Sequence, residues 1–182
     1  MSYDLHLLRP RPGESLEEAA MRDGEEDSRT SPPDPQKEAL KRKVADALVA
    51  YDAKLEIFKF DYAEIARLQK ISADQARQQF RHIELNDEEA GIQIILGDDG
   101  AGVSIPSWHS GEKAQSALRR MLAYAQIICR ETGMQAYDPQ VGEAVDLSDL
   151  DKIVPVYVGQ VRYVDTLRAD AKKPSRPWWK FW

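Results

Sequence analysis

Gly97-Asp98-Asp99-Gly100 stands between two short apolar runs, Ile92–Leu96 and Val103–Ile105, and this arrangement narrows the fold more than any other feature of the chain. Glycines and aspartates at the tip of two strand-like runs make a hairpin turn, so the two runs must pair antiparallel. A third run, Ile83–Leu85, precedes them. Directly after them, Gly111–Thr132 places Ala114, Leu118, Met121, Leu122, Ala125, Ile128 and Cys129 on one helical stripe. Ser110 is the expected N-cap of that helix, and Gly133 stands where a left-handed C-terminal cap wants glycine.

The rest of the chain follows the same scheme. Ser2–Leu8 alternates Tyr3, Leu5 and Leu7 against Asp4 and His6, the period of a half-buried strand. Ser15-Leu-Glu-Glu18 is a capping box for a short helix. Asp34-Pro35 reads as an N-cap followed by proline, opening a helix to about Asp52 with Leu40, Val44, Ala47, Leu48 and Tyr51 on one face. Leu55–Phe60 is strand-like, and Asp61–His82 holds two short helices, the second capped by Ser72-Ala-Asp-Gln75. Met134–Tyr137 and Val141–Leu147 read as strands around the turn Asp138-Pro139-Gln140. In Ile153–Arg168 the β-branched content suggests a strand, while Val154, Val158, Val161 and Val164 fall at helical spacing, so the reading leans to a helix with a strand as the alternative. The predicted fold is therefore α+β: a mainly antiparallel sheet of about four to six strands with helices packed on one face. Residues 1–167 form one domain, with 22–35 as a mobile Pro-rich loop, and residues 168–182 form a basic aromatic tail.

Composition removes several functions. Hydrophobic residues make up 42% of the 182, enough for an ordinary core. A single cysteine, Cys129, excludes a disulfide scaffold or a multi-cysteine metal site. No apolar run approaches the roughly 20 residues of a membrane span. The opening MSYDLHLLRPRPGESLEEAA has no basic start, apolar core or cleavage site of a signal peptide, so the expected location is the cytoplasm.

Catalytic signatures are lacking as well. His6, His82 and His109 show no paired metal-ligand spacing, and the carboxylates of Asp87-Glu88-Glu89 and Asp98-Asp99 lack the alternation of a calcium loop. Ser107-Trp108-His109-Ser110 sets a histidine among hydroxyls without a nucleophile elbow, and no glycine-rich phosphate loop is present. The chain reads as a non-enzyme with no cofactor and no metal.

Charge is the stronger signal. The net charge is −6, but residues 83–112 hold seven acids and no lysine or arginine. Residues 168–182 hold five bases and one acid, together with Trp178, Trp179, Phe181 and Trp182. Such a tail suits a recognition motif, a dock on the chain's own acidic body, or a membrane surface. Residues 61–82 are similar to the helix-turn-helix of bacterial sigma-factor-type regulators, with Gln75, Arg77, Gln78 and Arg81 as base- and phosphate-seeking side chains. Lys70 stands where such turns usually carry glycine, and the acidic stretch that follows would repel phosphates.

The opening MSYDL, the block RHIELNDEEAGIQIILGDDGAGVSIPSWH and the later QAYDPQVGEAVDL together resemble a group of small, largely uncharacterised bacterial cytoplasmic proteins. The resemblance covers about half the chain and brings no catalytic residues with it. Proteins of this kind resemble the immunity partners of polymorphic or secreted toxins. The resemblance and the charge pattern together imply a protein-binding protein, an immunity or antidote factor that occludes a basic toxin or effector domain. The residues expected at the interface are Glu84, Asp87, Asp98, Asp99, Trp108, His109, Glu112, Tyr137 and Asp138, with Trp108 and Tyr137 as anchors. The alternative is a helix-turn-helix DNA-binding regulator using residues 61–82; the preferred reading involves no nucleic acid.

Overall fold

The computed structural model describes residues 2–25, 32–149 and 153–159. In chain order the elements are β1 (Ser2–Leu8), α1 (Leu16–Glu25), α2 (Pro35–Tyr51), β2 (Glu56–Ile57), α3 (Tyr62–Gln69), α4 (Ala73–Gln79), β3 (Ile83–Asp87), β4 (Ile92–Leu96), β5 (Gly100–Pro106), α5 (Gly111–Thr132), β6 (Gln135–Asp138) and β7 (Glu143–Ala144). A sixth helix, α6, contains residues 153–159. The seven strands form one sheet in the order β2-β3-β4-β5-β1-β6-β7, and every pairing is antiparallel. The fold is α+β.

The hairpin turn forms as its sequence demands, with the Gly97 amide donating to the Gly100 carbonyl at 2.9 Å between β4 and β5. β1 then inserts between β5 and β6, in the middle of the sheet. That position follows from its side chains: Tyr3, Leu5 and Leu7 are all fully buried against α2 and α5. Burying each leucine contributes about 1.5–3 kcal/mol, and pairing with β5 and β6 satisfies the strand's backbone on both edges. The helix caps are also those the sequence carries. Ser15 with Glu18 and Ser72 with Gln75 form reciprocal capping boxes, Asp34 accepts from the Gln36 amide, and Gly133 takes φ +73°. Ser110 occupies the N-cap position of α5, but its side chain makes no capping hydrogen bond.

Several expectations need adjustment. The sheet has seven strands because two-residue β2 and β7 extend its edges. Segments that short carry no readable alternation. The predicted strand over Leu55–Phe60 shrinks to β2 because Phe60 turns away to pack against Phe80, Tyr62 and His82. Tyr51, expected on the buried stripe of α2, is 60% exposed, while Lys41 is buried. Helices α2, α5 and α6 share one face of the sheet, yet α1 packs on the other. The consecutive Leu7 and Leu8 point to opposite faces, and Leu8 forms a second small core with Ala19 and Tyr137.

Helix α1 extends to Glu25 into the segment expected to be loop, whose residues 26–31 lie outside the described ones. The helix expected over Ile153–Arg168 is present across 153–159, and its remainder lies outside the described residues, as does the tail with Trp178, Trp179, Phe181 and Trp182. No helix among the described residues is long and apolar enough to cross a membrane.

Candidate interaction surface

The thirty residues without a base are continuous in sequence, but β4 divides them in space. The turn after β3 lies at one end of the strand and Gly97–Gly100 at the other, separated by five residues, or about 17 Å of extended chain. The two ends have different chemistry.

At the Gly97–Gly100 end the carboxylates are already paired. The Asp98 side chain is 5% exposed and lies 2.8 Å from Lys41 Nζ and 2.5 Å from an Arg81 guanidinium nitrogen. Lys41, itself 4% exposed, also donates to Glu38 and to the Arg81 carbonyl. Asp99 is exposed and bound by Lys37 at 2.6 Å. Here the acids hold α2 and the chain after α4 onto the hairpin, so Asp98 has no open face for a partner.

At the other end the turn Glu88–Gly91 packs against the loop between β5 and α5. His109 Nε2 lies 2.8 Å from the Ala90 carbonyl, which can only accept, so the ring carries its proton on that nitrogen. Gly91 has φ +65°, and a Cβ there would lie 3.2 Å from Pro106 Cγ and 3.3 Å from Trp108 Cζ2. Glycine is therefore required twice, for its conformation and for the approach of the indole. Pro106 is held in turn by Tyr157 of α6, whose hydroxyl donates to its carbonyl at 3.0 Å. One edge of the Trp108 ring thus lies against the Gly91 turn and beside His109, while 56% of the residue stays exposed. Glu88, Glu89 and Glu112 are exposed at this same end. Glu89 meets Lys54 at 3.1 Å, a solvent-exposed pair that contributes little.

Beneath this end lies a network that joins three elements. Asp87, 2% exposed, accepts from the Ala90 amide at 2.9 Å and from Arg120 at 2.6 Å. Arg120 also reaches Asp52, the C-cap of α2, at 2.8 Å, and the Tyr124 hydroxyl donates to that same carboxylate at 2.6 Å. Burial pushes Asp52 and Asp87 up, but the hydrogen bonds and the Arg120 charge outweigh it and hold both below the usual carboxylate range. Burial, reinforced by the hydrogen bond to Asp52, pushes the Tyr124 hydroxyl well above the usual tyrosine value.

The other expected interface residues are placed inside the fold. Glu84 accepts from Asn86 and Gln93 at 2.7 and 2.9 Å on the sheet face opposite the main core. Tyr137 is 8% exposed and packs on Leu8 and Ala19, which removes it as an anchor. Asp138, 2% exposed, accepts from Tyr3 Oη at 2.6 Å and from the Gln140 amide at 2.8 Å, so the Asp-Pro-Gln turn is a structural corner. Of the nine residues expected at an interface, the structure brings Trp108, His109 and Glu112 together at one exposed end.

The helix-turn-helix candidate forms two helices with a tight turn, and Lys70 itself adopts the left-handed conformation at φ 57°. Helix α4 is only seven residues long. Gln75 is engaged in its cap, Arg77 pairs with Asp74 and lies over the Tyr62 ring, and Arg81 turns inward to Asp98. Gln78 is exposed. Three of the four candidate contacts, Gln75, Arg77 and Arg81, thus already have partners within the chain.

Sequence reasoning missed Arg120, Tyr124, Asp52 and Lys41. The available signal was a cation set among buried helical positions, as Lys41 is set before Val44, Ala45 and Leu48. Among the described residues no group of histidine, cysteine and carboxylate side chains is placed to hold a metal ion. No family model, curated protein or solved structure matches the chain.

Proposed function

We propose that this chain is a non-catalytic protein-binding protein, an immunity or antidote factor that neutralises a bacterial toxin or effector by covering a basic surface on it in the cytoplasm. The observation that carries the reading is Trp108: a large aromatic, more than half exposed, with one ring edge seated against the Gly91 turn beside the His109–Ala90 hydrogen bond. Pre-organised aromatic side chains lose little entropy on binding and dominate interface energies. Glu88, Glu89 and Glu112 are exposed in the same turn and helix start, which favours a cationic partner and speeds encounter. Inhibition by occlusion needs a surface and no chemistry.

The test is capture from the host with wild-type protein beside Trp108→Ala and Glu88→Lys/Glu112→Lys. The expected result is one stoichiometric partner with a basic surface, lost with both variants, whose toxic activity falls in step with added wild-type protein. Retention of the partner by both variants, or recovery of DNA without a protein, overturns the reading. A DNA-binding role through α4 is the weaker alternative, because Arg81 is committed to Asp98.

A further inference from the structure

Helices α3 and α4 form a hairpin that is joined to the rest of the chain mainly at its base. Their chief contact is with each other, α3 has no buried residue, and α4 buries Ala76 alone. The chain enters the hairpin through Phe58–Asp61 and leaves it through Phe80–His82. Aromatic rings close those two passages on each other. The Phe60 ring lies 5.0 Å from Phe58, 6.1 Å from Tyr62, 5.6 Å from Phe80 and 5.0 Å from His82, centroid to centroid. The Tyr62 hydroxyl donates to the Phe80 carbonyl at 3.3 Å. Beside the cluster, Arg81 turns to Asp98 and its carbonyl accepts from Lys41, which pins the exit side of the base to the body.

His82 is the member of this cluster that can change its charge near neutral pH. Its ring stands at 80° to Phe60 and 6.2 Å from Phe80, with 26% of the side chain exposed. The neutral imidazole packs there as one more aromatic ring. A protonated ring needs water or a carboxylate, and phenyl faces replace only part of either. A carboxylate stands close by. Glu84 of β3 accepts from Asn86 and Gln93 through Oε1, and its Oε2 lies 4.0 Å from His82 Nε2. A hydrogen bond needs about 2.9 Å, so the ring must shift by about 1 Å to make it. Burial pushes the His82 ring below the usual histidine value; the Glu84 charge works against that, and the Lys41 charge of α2 works with it. The neutral ring therefore stabilises the closed cluster above the ordinary value of about 6.5, and that contribution is lost as the pH falls through the lower folded value.

We propose that His82 is a pH-sensitive latch at the base of the α3–α4 hairpin: neutral, it closes the Phe60–Phe80 cluster, and protonated, it turns to Glu84 and lets the hairpin open about the Arg81–Asp98 anchor. Opening bares Phe60 and Phe80 next to Phe58, which is already 50% exposed. The latch uses none of the residues of the Trp108 surface, so the two proposals stand or fall independently.

Amide hydrogen exchange of the full chain, read peptide by peptide and corrected for the intrinsic rate, follows the hairpin between about pH 7.5 and about pH 5.5. Residues 62–79 are expected to lose protection by about threefold or more on that descent, while β4 and β5 keep theirs. His82→Phe keeps a ring in the cluster and cannot take a proton, so its hairpin should be equally protected at both pH values. Glu84→Gln leaves the aromatic rings in place, removes the charge that receives the protonated ring, and should move the loosening to lower pH. Unchanged protection in the wild type, the same pH response in His82→Phe, or an equal loss in β4 and β5 would overturn the proposal. An unshifted response in Glu84→Gln would do so as well.

Discussion

Arg120 and Asp87 meet at 2.6 Å on the inner side of the Trp108 surface, and that contact ties the longest helix to the turn that supports the indole. Asp87 is 2% exposed, so removing Arg120 leaves a buried charge with only the Ala90 amide beside it. Arg120→Met is expected to destabilise the fold by about 3 kcal/mol, whereas Asp87→Asn, which keeps the shape and sheds the charge, should cost less. Denaturant midpoints of the two variants against wild type check the order.

The same network sets a pH dependence. Asp52 and Asp87 are both held below the usual carboxylate range, so their ionised forms stabilise the folded state above the ordinary unfolded value of about 4. That contribution is lost as the pH falls through their lower folded values. Stability should drop steeply below about pH 4, and the drop should be shallower in Asp87→Asn. Urea midpoints between pH 7 and pH 2.5 measure both slopes.

The sheet and its helices were legible because each local signal agreed with the next. The Gly97–Gly100 turn forced antiparallel pairing, the alternation in Ser2–Leu8 marked a buried strand, and the caps at Asp34, Ser72 and Gly133 formed where they were written. What could not be read was pairing across distance. Nothing local says that Asp98 will meet Lys41 and Arg81 while Glu88 stays in solvent, because a run of acids looks the same before folding divides it. Tyr137 and Asp138 failed as interface residues for the same reason: their partners, Leu8, Ala19 and Tyr3, lie more than a hundred residues away in the chain.

Gly91 and Gly13 both have positive φ, at +65° and +83°, but only Gly91 has neighbours where a Cβ would be. Gly13→Ala should therefore cost only the backbone term, about 1 kcal/mol. Gly91→Ala adds a clash with Pro106 and Trp108 and is expected to cost about 1 kcal/mol more. In a chain of this length each kcal/mol lowers Tm by about 2–4 °C. Calorimetry on the two variants separates the terms, and the Gly91 variant alone should also shift the Trp108 emission.

The two ends of the acidic stretch should respond oppositely to charge reversal. Glu88→Lys and Glu112→Lys change only exposed positions, so the fold should keep its stability to within about 0.5 kcal/mol while affinity for a basic partner falls. Asp98→Lys places a third cation beside Lys41 and Arg81 in a nearly closed site, so unfolding should be the main effect. Thermal denaturation alongside binding at two salt concentrations distinguishes them.

Arg81 gives the decisive contrast with a nucleic-acid role. If it served to bind phosphate, Arg81→Ala would leave stability alone and reduce the salt slope of duplex binding by about one. Its side chain is instead 11% exposed and lies 2.5 Å from Asp98, whose remaining partner, Lys41, is itself committed to Glu38 and the Arg81 carbonyl. Removing the guanidinium leaves Asp98 with half its neutralising charge in a site water barely reaches. The expected result is a loss of about 2 kcal/mol in stability, with recovery of part of it by Asp98→Asn in the double variant. A double-mutant cycle on urea midpoints gives the coupling directly. A coupling near zero would return Arg81 to the surface and reopen α4 as a phosphate-binding helix.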